Sequence, residues 1–168
     1  MALLIWRISN GLIFVFFIFA NYLMRSVQTS WPPEGAARPD ILVPGVVSIL
    51  LLLSSIPAAR ALNAIRRGDN TNMSRNIWLV LAAGLLFIAG VIFTMVRLPY
   101  SGPYSSIINA MSGFHIVHAF VGMLLLAYVL RRASAYTPEN HWTVEATVVF
   151  WHFVDLMWVF FFAVIYFI

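Results

Sequence analysis

The chain is 168 residues long, 62% apolar and only 10% charged, with a mean hydropathy of +0.90. Soluble domains are about half apolar and about a quarter charged; a soluble fold of this size cannot hide so much apolar surface, which excludes disorder, a nucleic-acid-binding arm and an ordinary cytosolic enzyme, and leaves lipid as solvent. The net charge of +4 comes from ten arginines against six acids and reads first as topology, while the lack of cysteine excludes disulfides, iron–sulfur clusters and thiolate zinc sites.

Five stretches are apolar and long enough to cross about 30 Å of hydrocarbon, which takes about 20 helical residues. They run roughly over 8–28, 41–64, 76–97, 106–130 and 144–167. The expectation is therefore an all-α, single-domain bundle of five transmembrane helices over residues 1–168. The first span carries Asn10, Asn21 and Tyr22 and ends at Arg25 without a small-residue cleavage site, so it reads as a permanent helix. Trp31-Pro32-Pro33-Glu34-Gly35 cannot continue a helix. Arg66-Arg67-Gly68-Asp69-Asn70 and Tyr136-Thr137-Pro138-Glu139-Asn140 are the other turn-forming linkers. No linker exceeds about a dozen residues, which leaves no room for a soluble catalytic domain.

Arginine asymmetry sets the expected orientation. Arg7, Arg60, Arg66, Arg67, Arg75, Arg131 and Arg132 fall on one side; Arg25, Arg38 and Arg97 fall on the other. The N-terminus is expected inside and the C-terminus outside, with the Trp31-Pro32-Pro33 loop facing outward.

Ionisable groups in lipid are costly and mark function or a paired structural cluster. His115 and His118 share a face of the fourth span, and Glu145 and His152 share a face of the fifth, with Asp155 on its edge. His118 lies about 19 Å and Asp155 about 17 Å from the inner ends of their helices. Antiparallel neighbours at those depths predict a His118–Asp155 contact within a cluster of His118, His152, Glu145 and Asp155. Three chemistries are open to these residues. His-x-x-His beside a carboxylate could take zinc or iron. A b-type haem could span His115 or His118 and His152, with room from Gly113 and Gly122 but obstruction from Phe114, Phe120, Trp151 and Phe153. Carboxylate–imidazole pairs could instead fix helix register, since pairing lowers the burial cost of each group. A proton relay or a lipid-headgroup site is a further use. Phe14, Phe16, Phe17 and Phe19 read as lipid-facing or packing residues, and Trp151 and Trp158 as inter-helix packing.

The fifth span, Val144-Glu145-Ala146-Thr147-Val148-Val149-Phe150-Trp151-His152-Phe153-Val154-Asp155-Leu156-Met157-Trp158, closely resembles the last-helix signature of subunit III of haem–copper oxidases, V/F-E followed by YWHFVDVVW. Ser112-Gly113-Phe114-His115-Ile116-Val117-His118 resembles the same family's TGFHGLHV, and Trp31-Pro32-Pro33-Glu34-Gly35 its WPP-G loop. The resemblance covers helices three to seven of the seven-helix form, as in the short five-helix members. Asn10 stands after Ser9 where the family usually has a glutamate, and only Tyr100 survives of a Q-x-x-E-Y pattern. Phe150 replaces the usual tyrosine.

The resemblance implies a non-catalytic subunit of a proton-pumping terminal oxidase of aerobic respiration. It implies packing against subunit I, with subunit II also in the complex, bound phospholipid, and support of proton uptake. Haem and copper are expected in the partner subunits and none in this chain. Cytochrome c or quinol would be met only indirectly, and no nucleic acid at all. The site residues it implies are His115, His118, Glu145, His152 and Asp155 as a structural, lipid- or proton-related group, and Gly113, Phe114, Trp151, Phe153 and Trp158 as motif packing. The expected location is a prokaryotic cell membrane rather than the mitochondrial inner membrane. A subunit III homologue accompanying nitric oxide reductase, and a b-type haem quinol-oxidising protein, are the alternatives.

Overall fold

In hydrocarbon every backbone N–H and C=O must find a partner within the protein, which leaves helices as the solution for apolar runs of this length. A computed structural model describes residues 2–168, with side chains described from Ile8 onward; Arg7, part of the orientation argument, therefore lies outside the described side chains. The helices are α1 (Ala2–Ser26), α2 (Leu42–Ile65), α3 (Asn70–Arg97), α4 (Pro103–Arg131) and α5 (Trp142–Tyr166), with one 3₁₀ turn at Ala133–Ala135. All five contain segments long and apolar enough to span a membrane, and no strand occurs among the described residues.

The helix ends depart from the expected spans where polar residues extend the helix beyond the apolar run. The third span was expected from residue 76, but α3 begins at Asn70 because Asp69 caps it: the Asn72 N–H donates to Asp69 Oδ1 at 2.9 Å, and the Asn72 amide donates to Oδ2. The fourth was expected from residue 106, but Pro103 sits in the first turn of α4, where a missing N–H costs nothing. Gly102 precedes it at φ +69°, a left-handed conformation that a side chain would strain.

Helices α2 and α3 form a closely packed antiparallel hairpin, and α4 and α5 form a second. Contacts of α3 with α4 and of α2 with α5 close the four into a ring. Helix α1 lies outside that ring, touching α4 and α5 more sparsely. At the arginine-rich end, the Asn70 amide donates to the carbonyls of Ala133 (3.0 Å) and Tyr136 (3.3 Å), tying the two connectors together. At the other end, Trp31 packs edge-to-face on Tyr104 with ring centroids 5.0 Å apart. The bond to Pro32 is cis, and the Ala36 N–H closes the turn on the Pro33 carbonyl at 3.0 Å.

Candidate functional site

The seam between α2 and α5 collects most of the polar groups at mid-membrane depth. Trp158 donates its indole N–H to Ser48 Oγ at 2.6 Å, and Trp151 donates to Ser54 Oγ at 2.9 Å. Each serine also donates back within its own helix, Ser48 to the Pro44 carbonyl and Ser54 to the Leu51 carbonyl, both at 2.6 Å. A hydroxyl can donate once and accept twice, so both roles are filled. Trp151 and Trp158 are seven apart on α5 and Ser54 and Ser48 six apart on α2, the pairing expected of antiparallel helices.

Between these two latches Ser55 donates to Asp155 Oδ2, and its Oγ lies 3.1 Å from His152 Nδ1. With the hydroxyl proton directed at the carboxylate, Nδ1–H donates to Ser55 Oγ, giving the order His152, Ser55, Asp155. Asp155 is 3% exposed, and its Oδ1 is buried without a hydrogen-bond partner among the described residues.

The Trp151 indole fits a slot between α3 and α4. A Cβ on Gly84 would stand 2.8 Å from its Cη2, and one on Gly122 would stand 2.9 Å from its Cε3. Only glycine leaves space for the ring at either wall. Gly122 therefore provides room, as the sequence suggests, but Trp151 and Phe150 fill it. Gly113 is different: its nearest foreign atom is the Met95 methyl, 3.8 Å from a built Cβ.

His115 is fully buried, within 4.8 Å (Trp158), 5.5 Å (Phe87), 6.1 Å (Phe14) and 6.4 Å (Phe161) of four ring centroids, and neither ring nitrogen has a hydrogen-bond partner among the described residues. A haem ligand must present a nitrogen to a space as wide as a porphyrin; rings occupy that space here, and His152 is bonded on the α2 side. The chain's histidines do not fit the b-haem alternative. Among the described residues no group of three or more His, Cys, Asp or Glu is placed to hold a metal ion.

The four residues expected to form one cluster do not share one network. His118 turns to α1: its Nδ1–H donates to the Phe114 carbonyl at 2.9 Å, and with the Asn10 amide turned so that its NH2 faces the ring, Nε2 accepts from Asn10 at 3.1 Å. Phe114 and Phe14 pack beside it at 4.5 and 5.1 Å, and Phe153 meets Phe14 at 5.9 Å. Glu145 sits at the arginine-rich end, 3.3 Å from Arg66 and 3.9 Å from His141, both exposed or partly so. Depth matching placed these groups at compatible heights; rotation about the α4 and α5 axes then points them at α1, α2 and solvent rather than at each other. Sequence reasoning missed Ser48, Ser54 and Ser55. The adjacent serines in an otherwise apolar α2 run are the signal that could have found the seam.

A model of the family "Cytochrome c oxidase subunit III" matches residues 1–168. A cytochrome c oxidase subunit 3 of Synechocystis sp. is 33% identical over 168 residues, covering 96% of this chain and 72% of that protein. One from Thermostichus vulcanus is 31% identical, covering 99% and 85%. The carp (Cyprinus carpio) protein of the same name is 31% identical, covering 94% and 65%. The whole-chain match and these relatives agree with the motif-bearing α4 and α5 described above: the chain belongs to the cytochrome c oxidase subunit III family of respiratory membrane proteins.

Proposed function

We propose that this chain is the supporting subunit III of a proton-pumping haem–copper oxidase, packed against subunit I and making or breaking no bond itself. Haem and copper reside in the partner subunits, and electrons from cytochrome c or quinol do not pass through this chain. The observation that carries this reading is where the mid-membrane polar groups point. Ser48, Ser54, Ser55, Trp151, Trp158, His152, Asp155 and His118 all make hydrogen bonds within the chain. A bundle built this way is a rigid wall for a neighbour, with a broad apolar exterior left for partner helices and phospholipid.

The N-terminus inside and C-terminus outside follow from the arginine asymmetry, with residues 66–75 and 131–132 facing the interior of a prokaryotic cell. Support of proton uptake then belongs to that face. The experiment is mild-detergent purification through a tag on this chain, with mass spectrometry and a visible spectrum of the product. Oxidase subunits I and II with haem and copper bands are expected. Nitric oxide reductase subunits, or a Soret band stoichiometric with the isolated chain, would overturn the reading.

A further inference from the structure

A cavity of about 330 Å³ opens at the end of the bundle opposite the arginine-rich face, where the connector before α2 meets the last turn of α3. Arg38, Asp40, Val43, Phe93, Arg97 and Leu98 form its walls. Arg97 is held with its guanidinium carbon 4.2 Å from the Phe93 ring centroid, which fixes the group by stacking and leaves its N–H donors for another partner. Neither Arg38 nor Arg97 forms a salt bridge among the described residues. The carboxylate in the cavity, Asp40, accepts from the Leu42 N–H at 3.0 Å and so is directed at the start of α2. Two guanidinium groups against one carboxylate leave the mouth with an excess of one positive charge.

Below the mouth the surface is apolar on both helices. Val46, Leu50 and Leu53 of α2 are exposed in a stripe that continues from Val43, and Leu86 of α3 is exposed one heptad below Phe93. From Val43 to Leu53 is about 15 Å of helix, half of the roughly 30 Å hydrocarbon thickness, which is one leaflet.

We propose that this cavity is a phospholipid site: Arg38 and Arg97 clamp the phosphodiester, and the acyl chains lie along the exposed stripes of α2 and α3. Guanidinium matches a phosphate's geometry with paired N–H donors. The adjoining apolar stripes argue for a lipid over a free phosphate, which would use only the mouth. The inference deepens the lipid-binding part of the proposed function and is independent of which redox subunits accompany the chain.

The test uses the intact complex, purified through a tag on this chain and stepwise delipidated, with bound phospholipid counted by mass spectrometry. The double variant Arg38→Gln, Arg97→Gln is expected to retain one phospholipid fewer, or to hold it about tenfold or more weakly; an unchanged count and affinity overturns the proposal. On the wild-type complex, which covers the case of a variant that fails to assemble, a phosphatidylglycerol carrying a diazirine in its acyl chain is photolysed. Labelling is expected within residues 43–53 and 86–97, competed by dioleoylphosphatidylglycerol. Labelling spread evenly around the bundle, equal competition by uncharged dioleoylglycerol, or displacement by millimolar inorganic phosphate overturns it. Subunits I and II are scored in the same preparation, so their absence counts against the oxidase reading and leaves the lipid result standing.

Discussion

Besides its hairpin contact with α4, helix α5 has seams with α2 and α1, and these two are built on different principles. Toward α2 it is latched by directional bonds: two indole–serine pairs and the His152–Ser55–Asp155 chain, with one tryptophan set between glycines. Toward α1 it meets rings, with Phe14 against Phe153 and Phe161, while side-chain hydrogen bonds tie α1 to α4 through Asn10 and His118 and, past the end of α5, to the Ile168 carbonyl through Arg25. Lipid supplies no hydrophobic force between helices, so close packing and interhelical hydrogen bonds decide association. The ring of α2 to α5 has both in quantity, whereas α1 depends chiefly on ring contacts, and the two seams should therefore fail under different substitutions.

The largest effect is expected at the Trp151 slot. Trp151→Ala empties a fully buried site and removes the donor to Ser54, costing about 3–5 kcal/mol. Gly84→Val or Gly122→Val pushes atoms into the same indole and should cost about 1–3 kcal/mol. Both are read as a lower melting temperature and reduced retention of this chain in the purified complex. If Trp151→Ala is as stable as wild type, the latched seam is not what holds the bundle.

Next comes the bridging hydroxyl. Ser55→Ala leaves both His152 Nδ1 and Asp155 Oδ2 without their described partner, costing about 1–3 kcal/mol, and Ser55→Thr should restore most of it. Thermal denaturation of the two variants side by side checks this; equal loss in both would mean the hydroxyl is not the active element.

The α1 seam should yield less. Asn10→Leu removes the side-chain bond to His118, and such bonds in bilayers are worth about 0.6–1.7 kcal/mol. Hydrogen exchange should rise in α1 alone, with α2 to α5 unchanged. A loss as large as that of Ser55→Ala, spread over the whole bundle, would erase the distinction between the seams.

The smallest effects belong to the water-exposed end. Arg66→Gln breaks an exposed ion pair and should change stability by about 0–1 kcal/mol, vanishing at high salt. Asp69 is held below the usual carboxylate value, first by the Asn72 backbone N–H and then by the Asn72 side chain. A carboxyl with a lowered folded value stabilises above its unfolded value, near about pH 4, and loses that contribution as pH falls through the folded one. Amide exchange at Asn72 and Met73 should therefore accelerate only on acidification below about pH 4, and in Asp69→Ala it should be fast at all pH values.

The five spans were legible because hydrocarbon imposes length and hydropathy, and nothing else in the chain imitates 20 apolar residues. The start of α3 was hidden because all of Asn70 to Arg75 except Met73 are polar, and a helix outside the bilayer is marked by its cap, Asp69, rather than by hydropathy. The site was half legible. Asp155 and His152 stand out as ionisable groups in an apolar run, but their partner Ser55 is about 100 residues away in sequence and chemically inconspicuous. The depths of His118 and Asp155 follow from counting residues; the direction each faces depends on how α1 and α2 dock, which no local pattern in α4 or α5 contains. His115, enclosed by four rings, shows that a motif histidine need not have a hydrogen-bonding neighbour among the described residues.

The back-donation by Ser48 and Ser54 to their own helix carries a consequence for biosynthesis. Ser54 precedes its indole partner by 97 residues, and Ser48 precedes its partner by 110. At about 5–20 residues per second, α2 waits on the order of 5–20 s before α5 emerges. Ser55, whose proton goes to Asp155, still awaits α5, but during that interval the Ser48 and Ser54 protons are already engaged by the Pro44 and Leu51 carbonyls, so at these two positions α2 can leave the translocon satisfied. Only the oxygen lone pairs remain open, and these are acceptors that the late-arriving indoles alone complete. The order of emergence from the ribosome thus matches the order in which the serines can be satisfied, and closure of the ring waits on the arrival of α5.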